Sequence, residues 1–245
     1  MPKKTNPVAQ RSGTSTNIIL TAIVLIVAVV VIGGVLLFNR GGESQAGPGE
    51  AVPASVLHPK GSNMVSQGPK GAPTLVEFVD YQCPSCYSYY QNMTSKIEQE
   101  YEGKINFVVR NYPLDMHQLA VPAAKAVEAA AMQGKFEQMY HKMFDNYNSW
   151  AAAPSGQQLS TNKQAAVRQF ETFAKQIGLD VAKFRADMNS QEVAQRVEQD
   201  RADGSKAGVQ GTPTFYLNGR NFELTGNTAQ DLDNLRQKLD GALAK

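Results

Sequence analysis

The longest apolar run in the chain, Ile18 to Phe38, has Thr21 as its only polar side chain. Its 21 residues, at the helical rise, cover about 30 Å, the hydrocarbon thickness of a bilayer. The run therefore predicts one transmembrane helix over 18–38, longer than the roughly 7–15 apolar residues of a cleaved signal peptide. Lys3, Lys4 and Arg11 precede it and only Arg40 follows closely. The positive-inside rule then leaves residues 1–17 as a cytoplasmic tail and sends everything after the anchor outward. From 39 to 70 apolar periodicity gives way to Gly, Pro, Ser and Ala, the composition of a flexible linker. A coil of that length would hold a domain roughly 30 Å from the membrane.

From Gly71 onward strand and helix patterns follow one another. Thr74 to Asp80 is a mostly apolar run with one acid, Glu77, inside it, the pattern of a buried strand. The stretch after Tyr81-Gln82-Cys83-Pro84-Ser85-Cys86 reads as a helix to about Tyr101, with Pro84 suited to its first turn and Gly103 stopping it. Lys104 to Tyr112 is a second strand. Alanine-rich 117–133 predicts a helix beginning near Pro122, and 135–146 sets Phe136, Met139, Tyr140, Met143 and Phe144 at helical spacing, a core stripe before it is a substrate groove. Helices follow over about 162–177, 180–188 and 190–207, with Trp150 and Pro154 in a breaker segment. Thr212 to Leu217 and Arg220 to Leu224 flank Asn218-Gly219, a hairpin signal, and a last helix spans 228–243. The expected fold is one α/β domain over 71–245, with a helical insertion at about 114–207.

Charge is divided unevenly. Residues 1–70 hold six Lys and Arg against two Asp and Glu, and the remainder 18 against 20. The folded part is slightly acidic, which argues against nucleic acid as a partner. The chain has two cysteines, Cys83 and Cys86; chance would set two cysteines this far apart about 1% of the time. A structural disulfide framework would use more of them at longer separations. At the mouth of a helix the Cys83 sulfur meets unpaired backbone N–H groups that favour the thiolate, the species that attacks disulfides. Cys86, one turn on, is placed to close a disulfide with it. The pair could instead be half of a zinc site completed by His117 and His141, or by His58, although none shows the short ligand spacing of such sites. Asn92-Met93-Thr94 matches a glycosylation acceptor but falls within a helix.

EFVDYQCPSC, VQGTPTFYLNG and the helical stretch between them together resemble the DsbA-like thioredoxin-fold thiol–disulfide oxidoreductases, especially the membrane-tethered type of Gram-positive bacteria. The resemblance covers about 71–245. It implies that Cys83 is the surface nucleophile and Cys86 the buried resolving thiol. It implies a cis peptide bond before Pro213, with the backbone of Thr212 pairing with an extended substrate, and Tyr81, Pro84 and Ser85 as further substrate contacts. Glu77 takes the place of a buried acid that exchanges protons with Cys86. No cofactor beyond the Cys83–Cys86 disulfide is implied. The implied partners are reduced or misoxidised exported proteins and a quinone-linked membrane protein that re-oxidises the pair, with the domain held outside the cell membrane. Oxidation of substrates is the expected direction. Ser85 stands where Gram-negative oxidases of the family typically carry His, and this keeps a reductase or isomerase open. A tethered metal-binding or interaction domain is the alternative from a different class.

Overall fold

The computed structural model of the chain describes residues 51–244 except 154 and 157. The expected tail, the 18–38 anchor and the first part of the linker lie outside the described residues. Among those described, no helix is long and apolar enough to cross a membrane.

Five strands form one sheet: β1 (Asn63–Ser66), β2 (Thr74–Val79), β3 (Asn106–Asn111), β4 (Thr214–Leu217) and β5 (Arg220–Phe222), in the order β1-β3-β2-β4-β5. In β2 every residue after Thr74 is buried, as a continuous apolar run requires when both faces of a strand are covered. Leu75 and Val79 enter one core, and Val76 and Phe78 enter another on the opposite face. The strand's alternation therefore turns Glu77 toward the first core, where Tyr140 meets it. β2 and β3 are parallel, from Thr74 opposite Asn106 to Val79 opposite Asn111, and such a pair needs a crossover. α2 (Pro84–Tyr89) and α3 (Ser95–Glu100) supply it, joined by a π turn over Tyr90–Thr94. This wide turn interrupts the single helix expected there. It occurs where two consecutive tyrosines are both buried: Tyr89 Oη donates to Asp231 at 2.6 Å and Tyr90 Oη to Asp145 at 2.7 Å. An extra residue in the turn reorients the helix surface so that both can be accommodated.

The helical segment between β3 and β4 consists of α4 (Ala120–Ala131), α5 (Phe136–Asp145), α6 (Lys163–Gln176), α7 (Val181–Met188) and α8 (Gln191–Ala207). Asn162, Asp180 and Ser190 cap the last three by accepting the N–H of Ala165, Lys183 and Val193, which satisfies donors the helix leaves free. Met139, Tyr140, Met143 and Phe144 are fully enclosed, so the stripe on α5 is core. α8 approaches β2 and the residue after β3 so closely that a Cβ on Gly204 would lie 2.6 Å from the Tyr112 ring. Asn218 and Gly219 both adopt positive φ, 49° and 84°, and turn β4 into β5 as the hairpin signal predicts. α9 (Thr228–Leu243), capped by Asn227, closes the fold.

One boundary needs correcting. The linker was expected to reach residue 70, yet the chain is folded from about Val52. Val52 N–H donates to the Gly219 carbonyl at 2.8 Å, α1 (Ala54–Leu57) follows, and β1 pairs antiparallel with β3. Each element has only four residues, too few for periodicity to show. Their stability comes from distant partners. Arg110, on β3 and 1% exposed, donates to the carbonyls of Val56 and Leu57 at 2.8 and 3.0 Å and pairs with Asp200 and Asp203 at 2.7 and 2.8 Å. Removing one member of a buried ion network leaves the others unpaired and costs about 3–5 kcal/mol. Arg110→Ala is expected to lose about that much stability in urea unfolding, and loss of α1 protection in hydrogen exchange should accompany it.

Candidate active site

The end of β2 and the start of β4 converge on the cysteines. Phe78 lies opposite Thr214 across the β2–β4 ladder, so the Thr212-Pro213 segment just before β4 sits beside the turn that leaves β2. The Thr212–Pro213 peptide is cis. Cys83 caps α2 in an extended conformation, with Pro84 as the first helical residue. Its position exposes the sulfur to N–H groups that have no helical partner. Cys86, one turn further, has no exposure, and Cys83 keeps 6%. Both are free thiols. Cys83 Sγ lies 3.5 Å from the Thr212 carbonyl, and Pro84 and Ser85 are exposed beside it.

The two thiols are chemically unequal. The hydrogen bond from Cys86 to Cys83 outweighs burial; with backbone N–H groups of Cys86 and Ser85 and the Thr212 side chain, it lowers the Cys83 pKa to about 6. Among the described residues the Thr212 hydroxyl has no other hydrogen-bond partner, which leaves it free to serve the sulfurs. Cys86 moves the opposite way: burial raises its pKa well above the ordinary value, and the charges of Cys83 and Glu77 add to the effect. Glu77, 1% exposed, is raised to about 8 by burial, against a hydrogen bond donated by Tyr140 at 3.4 Å. At pH 7 a neutral carboxyl thus accompanies a protonated thiol in the core, while the Cys83 sulfur at the helix mouth is held as a thiolate.

The structure brings Cys83, Cys86, Thr212, Pro213, Pro84, Ser85 and Glu77 into one region. Tyr81 differs from the expected substrate contact. It is 1% exposed and packs on Tyr140 and Phe144, because the turn after β2 directs it into the same apolar core as Glu77. Tyr87 is the half-buried tyrosine next to the turn, stacked on Tyr147 at 4.3 Å.

The zinc alternative is not assembled. His117 bonds Asp80, His141 bonds Tyr90 and Glu98, and His58 lies near Arg110. Among the described residues the group holding three ligand-type atoms within 4.8 Å of one another is Glu98, Glu137 and His141, without a cysteine.

Several site residues escaped the sequence reading. Asp80, fully buried, accepts the N–H of Gln82 at 2.8 Å, the N–H of Leu114 at 3.0 Å and His117 Nδ1 at 2.6 Å. Gln82 accepts the Leu119 N–H at 2.7 Å and donates to the Ser160 carbonyl at 2.7 Å, while Tyr147 Oη donates to the Gln82 carbonyl at 2.6 Å. Asp80 bonding two residues ahead is a local turn signal that the sequence does carry. The pairing with His117 is long-range and leaves no such trace.

With this geometry and dithiol, the molecule is of the thioredoxin-fold class. The chain belongs to the thioredoxin family, whose model matches residues 60–240. Its fold is that of the DsbA and BdbD thiol–disulfide oxidoreductases. It superposes on oxidised BdbD from Bacillus subtilis with a TM-score of 0.64 and 20% identity, covering 82% of this chain and 100% of that one. For α-DsbA2 from Wolbachia pipientis the values are 0.59 and 21%, over 76% and 90%. For a thioredoxin-like oxidoreductase from Silicibacter pomeroyi they are 0.55 and 25%, over 76% and 99%. In sequence it is 33% identical over 156 residues to the Na(+)/H(+) antiporter NhaA of Herminiimonas arsenicoxydans, and 31% over 156 to NhaA 3 of Salinispora tropica. These alignments take in 63% of this chain but 22% and 21% of the antiporters, so the chain spans about a fifth of those relatives.

Alkylation of the reduced protein should accelerate through a midpoint near pH 6; a midpoint near the ordinary thiol value of 9.0 would contradict the site as described. A second expectation concerns Glu77. Folding raises its pKa from 4.5 to about 8, so the native state holds a proton that the unfolded chain releases. Its contribution is present below pH 4.5 and is lost as pH rises toward 8. Urea midpoints of Glu77→Gln, measured on the disulfide form, should fall less across that window than those of the native protein.

Proposed function

We propose that this chain is an extracytoplasmic thiol–disulfide oxidoreductase that donates the Cys83–Cys86 disulfide to exported proteins, anchored in the cell membrane by residues 18–38. The observation that carries the reading is the inequality of the two thiols. A low pKa on Cys83 stabilises the dithiol form and makes the disulfide oxidising.

A substrate thiolate attacks Cys83 Sγ, forming a mixed disulfide and breaking the Cys83–Cys86 bond. Cys86 leaves as a thiolate in a site that disfavours its charge, and takes the proton carried by Glu77. A second substrate thiolate attacks the substrate sulfur of the mixed disulfide. The substrate departs with its own disulfide, having lost two electrons and two thiol protons, and Cys83 departs as the thiolate. One proton resides on Cys86 once Glu77 is replenished, and the other goes to solvent. Thr212 supports the docking step. It is partly exposed, and its N–H has no hydrogen bond within the protein among the described residues, so an extended substrate can pair there. Exposed Pro84 and Ser85 give access to the Cys83 sulfur. Turnover needs an acceptor for two electrons, a role suited to a quinone-linked membrane protein. No cofactor takes part beyond the disulfide.

Ser85 favours one second reading, a reductase or isomerase on the same fold, because a dipole stabilises a thiolate less than a cation does. Equilibration of the full chain, solubilised in mild detergent, with glutathione buffers separates the two. A potential near that of DsbA, about −120 mV, supports the oxidase, and one near that of thioredoxin, about −270 mV, reverses the direction. Cys83→Ser should abolish exchange in either case, and retained exchange in that variant would overturn the dithiol mechanism itself.

A further inference from the structure

The dipeptide between the cysteines carries no charge, and the helix it opens is short, six residues before the π turn. A titratable imidazole nevertheless stands against this turn. His117 lies in the loop between β3 and α4 and holds Asp80 Oδ2 through Nδ1 at 2.6 Å. The other Asp80 oxygen accepts the Gln82 N–H at 2.8 Å, and the Asp80 carbonyl accepts the Cys83 N–H at 3.0 Å. One buried acid therefore fixes both the backbone of the nucleophile and the imidazole. The ring is largely enclosed, its side chain 8% exposed, and Nε2 has no hydrogen-bond partner among the described residues.

We propose that His117, carried as an imidazolium on Asp80, is a positioning residue that stabilises the Cys83 thiolate, supplying from the β3–α4 loop the positive charge missing between the cysteines. The inference rests on the dithiol reading above and assigns its electrostatics to a residue outside the motif.

The charges around the ring fit this role. The Asp80 hydrogen bond, then the charges of Asp80 and Cys83, raise the His117 pKa against the effect of burial. Behind the turn, burial raises the pKa of Cys86 and of Tyr147, so both stay protonated and neither contributes charge at pH 7. Asp115, in the same loop, is 83% exposed and pairs with Arg201 at 2.7 Å. Asp80 and the Cys83 sulfur remain as the negative groups acting on the ring. Coupling between two titrating sites is reciprocal. The imidazolium lowers the Cys83 pKa by the amount the thiolate raises that of His117, adding to the hydrogen bonds already on the sulfur. Closing the disulfide removes the thiolate, so the His117 pKa must fall on oxidation.

Two measurements on the full chain in mild detergent test this. NMR titration of the His117 ring in the dithiol and disulfide forms of the native protein should give a pKa lower in the disulfide form by about half a unit to one unit. In His117→Gln, ultraviolet thiolate absorbance should show the Cys83 pKa higher by the same amount. Its equilibrium with glutathione should shift about two- to fivefold toward the disulfide at pH 7. A merely structural His117 would alter melting temperature without moving either titration. An imidazole pKa indifferent to the redox state overturns the proposal, as does an unchanged thiolate pKa in the variant. Should the titrations couple while exchange with glutathione is absent, the oxidoreductase reading falls and this inference stands. Intact exchange without coupling is the reverse case.

Discussion

A carboxylate cut off from water must find its hydrogen bonds inside the protein, and Asp80, at the mouth of the central strand, is such a group. Its donors come from two segments, the turn carrying Cys83 and the loop following β3. Satisfying one buried acid therefore locks those segments to each other. Gln82 extends the arrangement to Leu119 and Ser160, and Tyr147 closes it from the carbonyl side. The conformation of the nucleophile's turn is thus set by the needs of its polar neighbours, and the cysteines occupy a frame built around them.

Within that frame two identical thiols acquire opposite character. Cys83 gathers donors: helix N–H groups, the Thr212 side chain and the Cys86 thiol itself. Cys86 meets apolar core and the acid of β2. The strand's two-residue alternation adds to the distinction, because it commits Glu77 to the face covered by Tyr140 rather than to the face packed by Phe78. A one-residue slip of β2 would exchange those faces and take the acid away from Cys86.

Where the determinants are local, the sequence is legible. The continuous apolar run of β2, the helical periodicity over 162–177, 180–188 and 190–207, and the Asn218-Gly219 turn all announce their elements. Helical periodicity marks the insertion over 114–207, and the resemblance supplied the cis peptide before Pro213. What escaped reading depends on partners far along the chain. α1 and β1 exist because Arg110 and the edge of β3 receive them. Tyr81 is drawn inward by α5, and a helical pattern over 84–101 conceals the wide turn that two buried tyrosines require. His117 and Asp80 are each unremarkable in sequence and meet only because a parallel crossover brings the ends of β2 and β3 to the same edge.

The attachment of the first folded residues has a mechanical consequence. Any pull arriving at Ala51 through the preceding chain enters the domain at the Val52–Gly219 hydrogen bond and the α1 carbonyls held by Arg110. Beyond them it meets the β1–β3 ladder. The load is shared between the hairpin at one edge of the sheet and the strand at the other, and bypasses the Asp80 frame. A pull at that end meets the edges of the sheet before it meets the turn that carries Cys83.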